Sequence, residues 1–281
     1  MNWQSIFLTL VFLALAGGGV VVVKPSFPLQ SPPVHRTFKE PEDDLDEFVG
    51  QVKTIHVETE VHEFTTHFID LGNRYKRKPF QTSRFDREGK KVEKFNYRTD
   101  GVPLPKTTYS YDKGSALLKE NHFSAVSGKP YLETVYVYDS QGRLKEEIGK
   151  NIEDNKVLSR KLYTHDEKKN YTEVTEYDWD NELRGKVGFI WNDQGKVSEF
   201  IAFSPECNSG CKGRIIYDEK GRAVEIIFSR PDGSSVEKEK YTYKVDKRSN
   251  WTKKTLYRWV TEEGKSFYKL MNITYRTLTY Y

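Results

Sequence analysis

Tyr138-Asp139-Ser140-Gln141-Gly142-Arg143 and Tyr217-Asp218-Glu219-Lys220-Gly221-Arg222 are the stretches whose reading decides how this chain folds. Each sets an aromatic residue before an Asp, then a glycine with an arginine after it. Asp139 and Asp218 can accept hydrogen bonds from backbone amides ahead of them, while Gly142 and Gly221 can take the left-handed position that closes a hairpin with a bulge. Close variants stand at Phe85-Asp86-Arg87-Glu88-Gly89-Lys90 and Trp191-Asn192-Asp193-Gln194-Gly195-Lys196, and weaker ones start at Tyr111, Tyr163 and Tyr243. The aromatic positions 85, 111, 138, 163, 191, 217 and 243 recur every 25 to 28 residues. A period of that size means repeated supersecondary units.

Working outward, a second turn signal lies inside each unit, at Asp100-Gly101, Ser127-Gly128, Asp154-Asn155, Asp180-Asn181, Ser209-Gly210, Asp232-Gly233 and Glu263-Gly264. Gly, Asn and Asp supply the positive φ angles of tight reversals. The runs between turns are rich in Tyr, Val, Ile, Thr and Phe and alternate: Leu132, Thr134, Tyr136 and Tyr138 share one face, Glu133, Val135 and Val137 the other. Each unit is therefore two strands and two turns. The sequence predicts an all-β fold over residues 51–281, with recognisable repeats from 85: an elongated, curved or twisted antiparallel sheet of sequential hairpins.

The motif resembles the YD repeat, also called the RHS repeat, of exported bacterial β proteins, over roughly residues 85–281. Tyr138, Asp139, Gly142 and Arg143, with Tyr217, Asp218, Gly221 and Arg222, carry the resemblance. Tyr111-Asp112-Lys113-Gly114 has its glycine one place early, and Tyr163-Thr164-His165-Asp166 lacks it. Asn250-Trp251-Thr252-Lys253-Lys254, Ile273-Thr274-Tyr275-Arg276 and Tyr280-Tyr281 also look like the close of short exported proteins of this type. The resemblance implies a structural shell rather than a reaction.

From Ile6 to Val23 the chain is free of charge, and Ala14-Leu15-Ala16 offers a signal-peptidase site before Gly17. Residues 1–23 read as a signal peptide or as an uncleaved membrane anchor, since the apolar run is just long enough to span a bilayer. No Cys follows it, which excludes a lipoprotein. Residues 24–50, rich in Pro and acidic between Glu40 and Glu47, read as a flexible tether holding the sheet away from the membrane. The expected location is periplasmic, cell-surface or secreted. With 45 basic and 41 acidic residues the net charge is +4, too balanced to imply nucleic acid. The basic run Arg74, Lys76, Arg77, Lys78 reads as a solvated turn. Cys207 and Cys211 sit in one predicted turn, and a local disulfide fits an exported chain; half of a metal site is the other reading, with no further ligands near in sequence.

The search for chemistry is mostly negative. His62-Glu63-Phe64-Thr65-Thr66-His67 has its second His five residues on, which takes the pair off one helical face and puts it on opposite faces of a strand. His56, Glu58, Glu60 and His62 alternate with Ile55, Val57, Thr59 and Val61; as a strand they form a polar outer face over an apolar inner one. No catalytic site, cofactor or metal site is expected. The expected function is non-catalytic: a sheet surface that binds a protein or glycan at the cell envelope. The other reading is a carbohydrate or peptidoglycan module, which needs coplanar exposed rings drawn from Trp179, Trp191, Trp251 or Trp259. A free edge strand would also allow weak pairing with a second copy. An outer-membrane barrel is the structural rival, but Lys119 with Glu120, and Lys145 with Glu146 and Glu147, interrupt both faces of their strands.

Overall fold

The computed structural model describes residues 48–62, 76–98, 100–204, 207–230 and 234–281. The signal or anchor segment and most of the tether lie outside these residues, as do His67 and the start of the basic run. Sixteen strands follow one another: β1 (Val52–Val61), β2 (Lys78–Phe85), β3 (Lys91–Asn96), β4 (Thr107–Tyr111), β5 (Leu117–Phe123), β6 (Pro130–Tyr138), β7 (Leu144–Asn151) and β8 (Val157–Asp166) make the first half. The second half is β9 (Tyr171–Asp178), β10 (Leu183–Trp191), β11 (Val197–Ser204), β12 (Cys207–Tyr217), β13 (Ala223–Ser229), β14 (Ser235–Val245), β15 (Trp251–Glu262) and β16 (Lys265–Tyr280). Every strand pairs antiparallel with its sequence neighbour, and β1 also pairs with β16, so the sheet closes into a barrel.

Closure corrects the expectation of an open, elongated sheet. At the seam Val57 stands opposite both Arg276 of β16 and Gln81 of β2. The two strands that would have been free edges satisfy each other, and the edge-pairing contact with a second copy has no edge to use. Twist explains why hairpins alone did not reveal this: each pair rotates in the same sense, and with enough strands the accumulated curl brings the ends together.

Side chains separate cleanly by face. Tyr136, Glu147 and Lys161 lie opposite one another across β6, β7 and β8 and are buried, while Val135, Ile148 and Arg160 form the adjacent row on the other face. Closure makes one face concave, where side chains crowd, and the other convex, where they splay; the buried face is therefore the inner one. One cluster of it runs from Tyr109 through Leu117, Leu144, Phe189, Phe200 and Ile226 to Tyr241. A second, of Val52, Ile55, Val57 and Phe85 with Phe48, Leu278 and Tyr280, packs the seam. Burial of each such aliphatic or aromatic side chain contributes about 1.5–3 kcal/mol. At Gly213 a Cβ would come within 2.2–2.8 Å of the Phe200 ring, which lies across that glycine and fills the gap on the inner wall.

The seven aromatic-and-turn motifs all fall at one end of the barrel, together with the start of β1 and the end of β16. There Asp139 Oδ1 accepts from the amides of Gln141 and Arg143, both at 2.9 Å, and Gly142 has φ 75°. Asp218 repeats this with Lys220 at 3.0 Å and Arg222 at 2.9 Å, and Gly221 has φ 76°. Where the sequence departs from the motif, another residue takes the strained place. Ser115, not Gly114, has φ 74°; after Tyr163, β8 runs on to Asp166, a 3-10 turn follows at Glu167–Lys169, and Asn170 has φ 49°.

The aromatic and the basic residue of the motif act between units. The phenols of Tyr111, Tyr138, Tyr217 and Tyr243 donate to the carbonyls of Lys91, Leu117, Val197 and Ala223, each at 2.8–2.9 Å. Lys196 and Arg222 in turn lie over the rings of Tyr217 and Tyr243, both at 5.2 Å. The period of the sequence is thus the distance along the chain from one hairpin to the peg of the next.

At the opposite end the signals Gly101, Gly128, Asn155, Asn181 and Gly264 have positive φ as expected. Ser209-Gly210 does not turn: it lies within β12, and the connection falls at 205–206, outside the described residues. Asp232-Gly233 lies outside them too.

Candidate functional site

Asp139, Gly142, Asp218 and Gly221 lie in the turns described above, each carboxylate bonded to its own backbone. Partial burial opposes ionisation of Asp139, but the Arg143 amide and guanidinium and the Gln141 amide outweigh it and hold the carboxyl below its ordinary range. Asp218 is held low in the same way by Arg222 and Lys220. These acids are committed to their own turns and offer nothing to a ligand.

The row His56, Glu58, Glu60 and His62 lies on the outer face, and its members look to separate neighbours. His56 Nδ1 meets Thr82 Oγ1 at 2.8 Å, Glu58 pairs with Arg77, and Glu60 binds His62 at 2.7 Å and Tyr275 at 3.1 Å. Among the described residues no group of three or more His, Cys, Asp or Glu is placed to hold a metal ion. The cysteines fall in β12 rather than in a free turn. Register sets Cys211 against Ala202 but Cys207 against Ser204, so four steps of β12 match two of β11 and the strand bulges between the cysteines. A local disulfide remains a proposal.

The four tryptophans do not form a platform. Trp191 and Trp251 are buried on the inner wall, and Trp191 Nε1 donates to Thr172 Oγ1 at 3.0 Å. Trp179 is exposed on the connection between β9 and β10 and Trp259 on β15, and Trp259 meets Tyr268 edge-on at an interplanar angle of 67°.

Sequence reasoning missed a row of ionisable groups on the inner wall. Glu120 of β5 is 1% exposed and accepts from the Tyr136 phenol at 2.9 Å; Glu147 of β7 accepts in the same way from Tyr163. Lys91 lies over the Tyr109 ring at 5.1 Å. Burial raises the Glu120 carboxyl from an ordinary 4.5 to about 7, opposed by the Tyr136 hydrogen bond and by Lys91 and Lys94, and Glu147 adds to the rise. The Tyr136 phenol is raised well above 10 by burial and by both carboxylates. The signal was present in the sequence as the acids that seemed to interrupt both faces. Glu120 and Glu147 belong to the inner row; Lys119 and Glu146 belong to the outer one.

That outer face carries a belt of cross-strand ion pairs, at mid-strand except for Arg84, which is the next-to-last residue of β2. Arg84 meets Glu93 at 2.7 Å, Lys119 meets Glu133 at 2.6 Å, Lys186 meets Glu173 at 2.8 Å, Lys212 meets Glu199 at 2.7 Å, and Arg160 pairs with Glu146. No helix among the described residues is long and apolar enough to cross a membrane. For the strands the relevant quantity is the outer face, where a Lys or Arg facing lipid at the midplane costs about 2–4 kcal/mol.

With the geometry established, comparison with solved structures agrees on the fold. A porin-like protein from Bacteroides uniformis superposes with a TM-score of 0.53 at 10% identity, over 81% of this chain and 98% of that one. A second porin-like protein, from Bacteroides vulgatus, covers 82% of this chain and 98% of its own at 12% identity, but its TM-score of 0.42 is too low to bear on the argument. No protein-family model and no curated protein sequence matches. The chain shares the fold of that first protein, a closed antiparallel barrel.

That likeness and the closed sixteen-strand topology overturn the resemblance to the YD or RHS repeat. The physical reason is that an Asp, a left-handed residue and an aromatic peg solve hairpin closure in any long meander, so the motif reports hairpins and not a family.

Proposed function

We propose that this chain is an exported, non-catalytic barrel of the cell envelope whose outer wall faces water and whose work is binding. The observation that carries the reading is the belt of ion pairs from Arg84 to Lys212 on the outer face. In a bilayer those cations would each add a cost of about 2–4 kcal/mol; in water the same pairs are nearly neutral in energy and keep the wall soluble. Closure and membrane spanning are separate properties, and this barrel has the first without an outer surface suited to the second. The partner is a protein or glycan of the envelope. Export is carried by the apolar segment from Ile6 to Val23 and the site before Gly17.

Fractionation with N-terminal sequencing of the chain made in its own host tests the proposal. A start at Gly17 in a soluble envelope fraction, or an intact Met1 in a membrane fraction from which protease cleavage within residues 24–47 releases the barrel, supports it. A barrel that, after that cleavage, leaves the membrane only in detergent overturns the water-facing wall, and recovery from the cytoplasm overturns export.

A further inference from the structure

The two rims of the barrel differ in a way the binding reading does not use. Of the eighteen exposed large apolar side chains among the described residues, thirteen stand at or beside the connections opposite the Asp-turn end. They include Val102 between β3 and β4, Val126 between β5 and β6, Ile152 between β7 and β8, Trp179 between β9 and β10, Phe203 at the end of β11, and Trp259 near the end of β15. Val126 is 98% exposed and Trp179 is 55% exposed. Isolated exposed apolar residues are ordinary, but a concentration of them on one rim marks an interaction surface.

We propose that this rim rests on a neutral lipid bilayer, with the apolar loop tips entering its headgroup region. The residues are spread one to three apiece over seven of the rim's eight connections, with polar groups between them around a ring. A rigid protein surface would have to match every projection at once, whereas a fluid bilayer yields to each independently. Charge on the rim is of both signs and nearly balanced among the described residues: Arg98 pairs with Asp100 at 3.0 Å, Arg184 with Asp178, and Lys269 with Glu262 at 2.8 Å, Lys156 lies over the Trp179 ring at 4.8 Å, and the exposed cations Lys76, Lys129, Arg230 and Lys265 are offset by the exposed acids Glu153, Asp154, Asp180, Glu182 and Glu263. That leaves little to attract anionic headgroups and makes apolar insertion the driving force.

The chain's own length allows the contact. It enters the barrel at the Asp-turn end, and the roughly two dozen residues between Val23 and Phe48 reach about 80 Å at full extension. The ten-residue strand β1 spans about 33 Å. The tether can therefore lay the far rim on the membrane rather than hold the barrel clear of it. This step rests on the envelope reading only for the presence of a bilayer.

The test uses the full-length chain and phosphatidylcholine vesicles with brominated acyl chains, which quench tryptophan. Trp3 reports the N-terminal segment in every variant, so the difference between wild type and Trp179→Phe reports the rim. We expect quenching to fall in Trp179→Phe, and the Trp179 share to persist in about 1 M salt, where the Debye length is about 3 Å. Val126→Glu with Ile152→Glu, both at exposed positions, should restore access of aqueous acrylamide to Trp179 in the presence of vesicles. Equal quenching of wild type and Trp179→Phe overturns the proposal. So does shielding of Trp179 that grows with protein concentration without lipid, which would make a second copy the occupant. Because the vesicle result does not depend on where a cell puts the chain, cytoplasmic recovery with intact quenching would defeat the envelope reading and leave the rim.

Discussion

The two ends of this barrel are made from the same strands and obey different rules. At the Asp-turn end each reversal is fixed by a carboxylate or amide on its own backbone, a residue of positive φ, and a tyrosine or its substitute reaching back to the preceding hairpin. At the far end the connections vary in length, and large apolar side chains are left in water. The first end satisfies its polar groups internally; the second leaves apolar area unburied. Interlocked turns specify a structure, while an unburied rim serves contact with something else.

The contrast can be broken most forcefully at the seam. Asn250 is 2% exposed; its Oδ1 accepts from the Val49 amide at 2.6 Å, and its Nδ2 donates to the Val49 carbonyl at 3.0 Å and the Tyr280 phenol at 2.9 Å. Asn250→Ala removes three hydrogen bonds at a buried site, each worth about 1 kcal/mol, while the Tyr280 phenol keeps its bond to Asp246, and should destabilise the barrel by about 3 kcal/mol. An unchanged denaturant midpoint would show that the seam does not hold the Asp-turn end together.

A pH series sharpens the contrast between that end and the inner wall. The folded value of Glu120 lies above the unfolded one, so the folded chain keeps a proton that the unfolded chain loses. The site costs nothing below pH 4.5, costs progressively more up to about 7, and holds a constant penalty above that. Glu120→Gln should therefore be more stable than wild type at pH 8 by about 3 kcal/mol, with the gain gone near pH 4. Asp139 and Asp218 have the opposite sign: their values are depressed, and their contribution is present at neutral pH and lost as acid protonates them. Parallel pH profiles for Glu120→Gln and Asp218→Asn would count against the assignment of the two regions.

Gly142→Val and Gly221→Val place a branched side chain at φ 75° and 76° and should each cost about 1 kcal/mol or more, read from the shift in urea midpoint. Smallest of all should be Val126→Ser and Trp179→Ser at the far rim, within about 0.5 kcal/mol of wild type. A loss of several kcal/mol in either would mean that the rim stabilises the fold and is no docking surface.

The same division explains what could be read from the sequence. A hairpin is local: Asp139, Gly142 and Arg143 lie within five residues, so strand type, turn position and face alternation were legible from spacing alone. Closure is not local. Nothing in Val57 announces that it will stand against Arg276, and an aromatic meander reads the same whether or not its ends meet. The inner charged row was legible only as a nuisance, because Glu120 and Glu147 were judged as interruptions before it was known which face curves inward. The rim residues Val126 and Trp179 lie in connections, where no periodicity marks an exposed apolar side chain as meaningful.

One contact at the seam bears on the order of events during synthesis. The Tyr281 amide donates to the Gln51 carbonyl at 3.1 Å and its phenol to the Phe85 carbonyl at 2.6 Å, joining the last strand to the first two. Each hairpin can form as it emerges, at small loop-closure entropy, but the ring needs β16 to meet β1 across the whole intervening chain. Until that strand arrives the nascent sheet keeps both edges open, which leaves it loose enough to be threaded through a translocation pore and vulnerable to pairing with the wrong chain. Once β16 meets β1 and the ring locks, the chain can no longer pass through a pore as a thread.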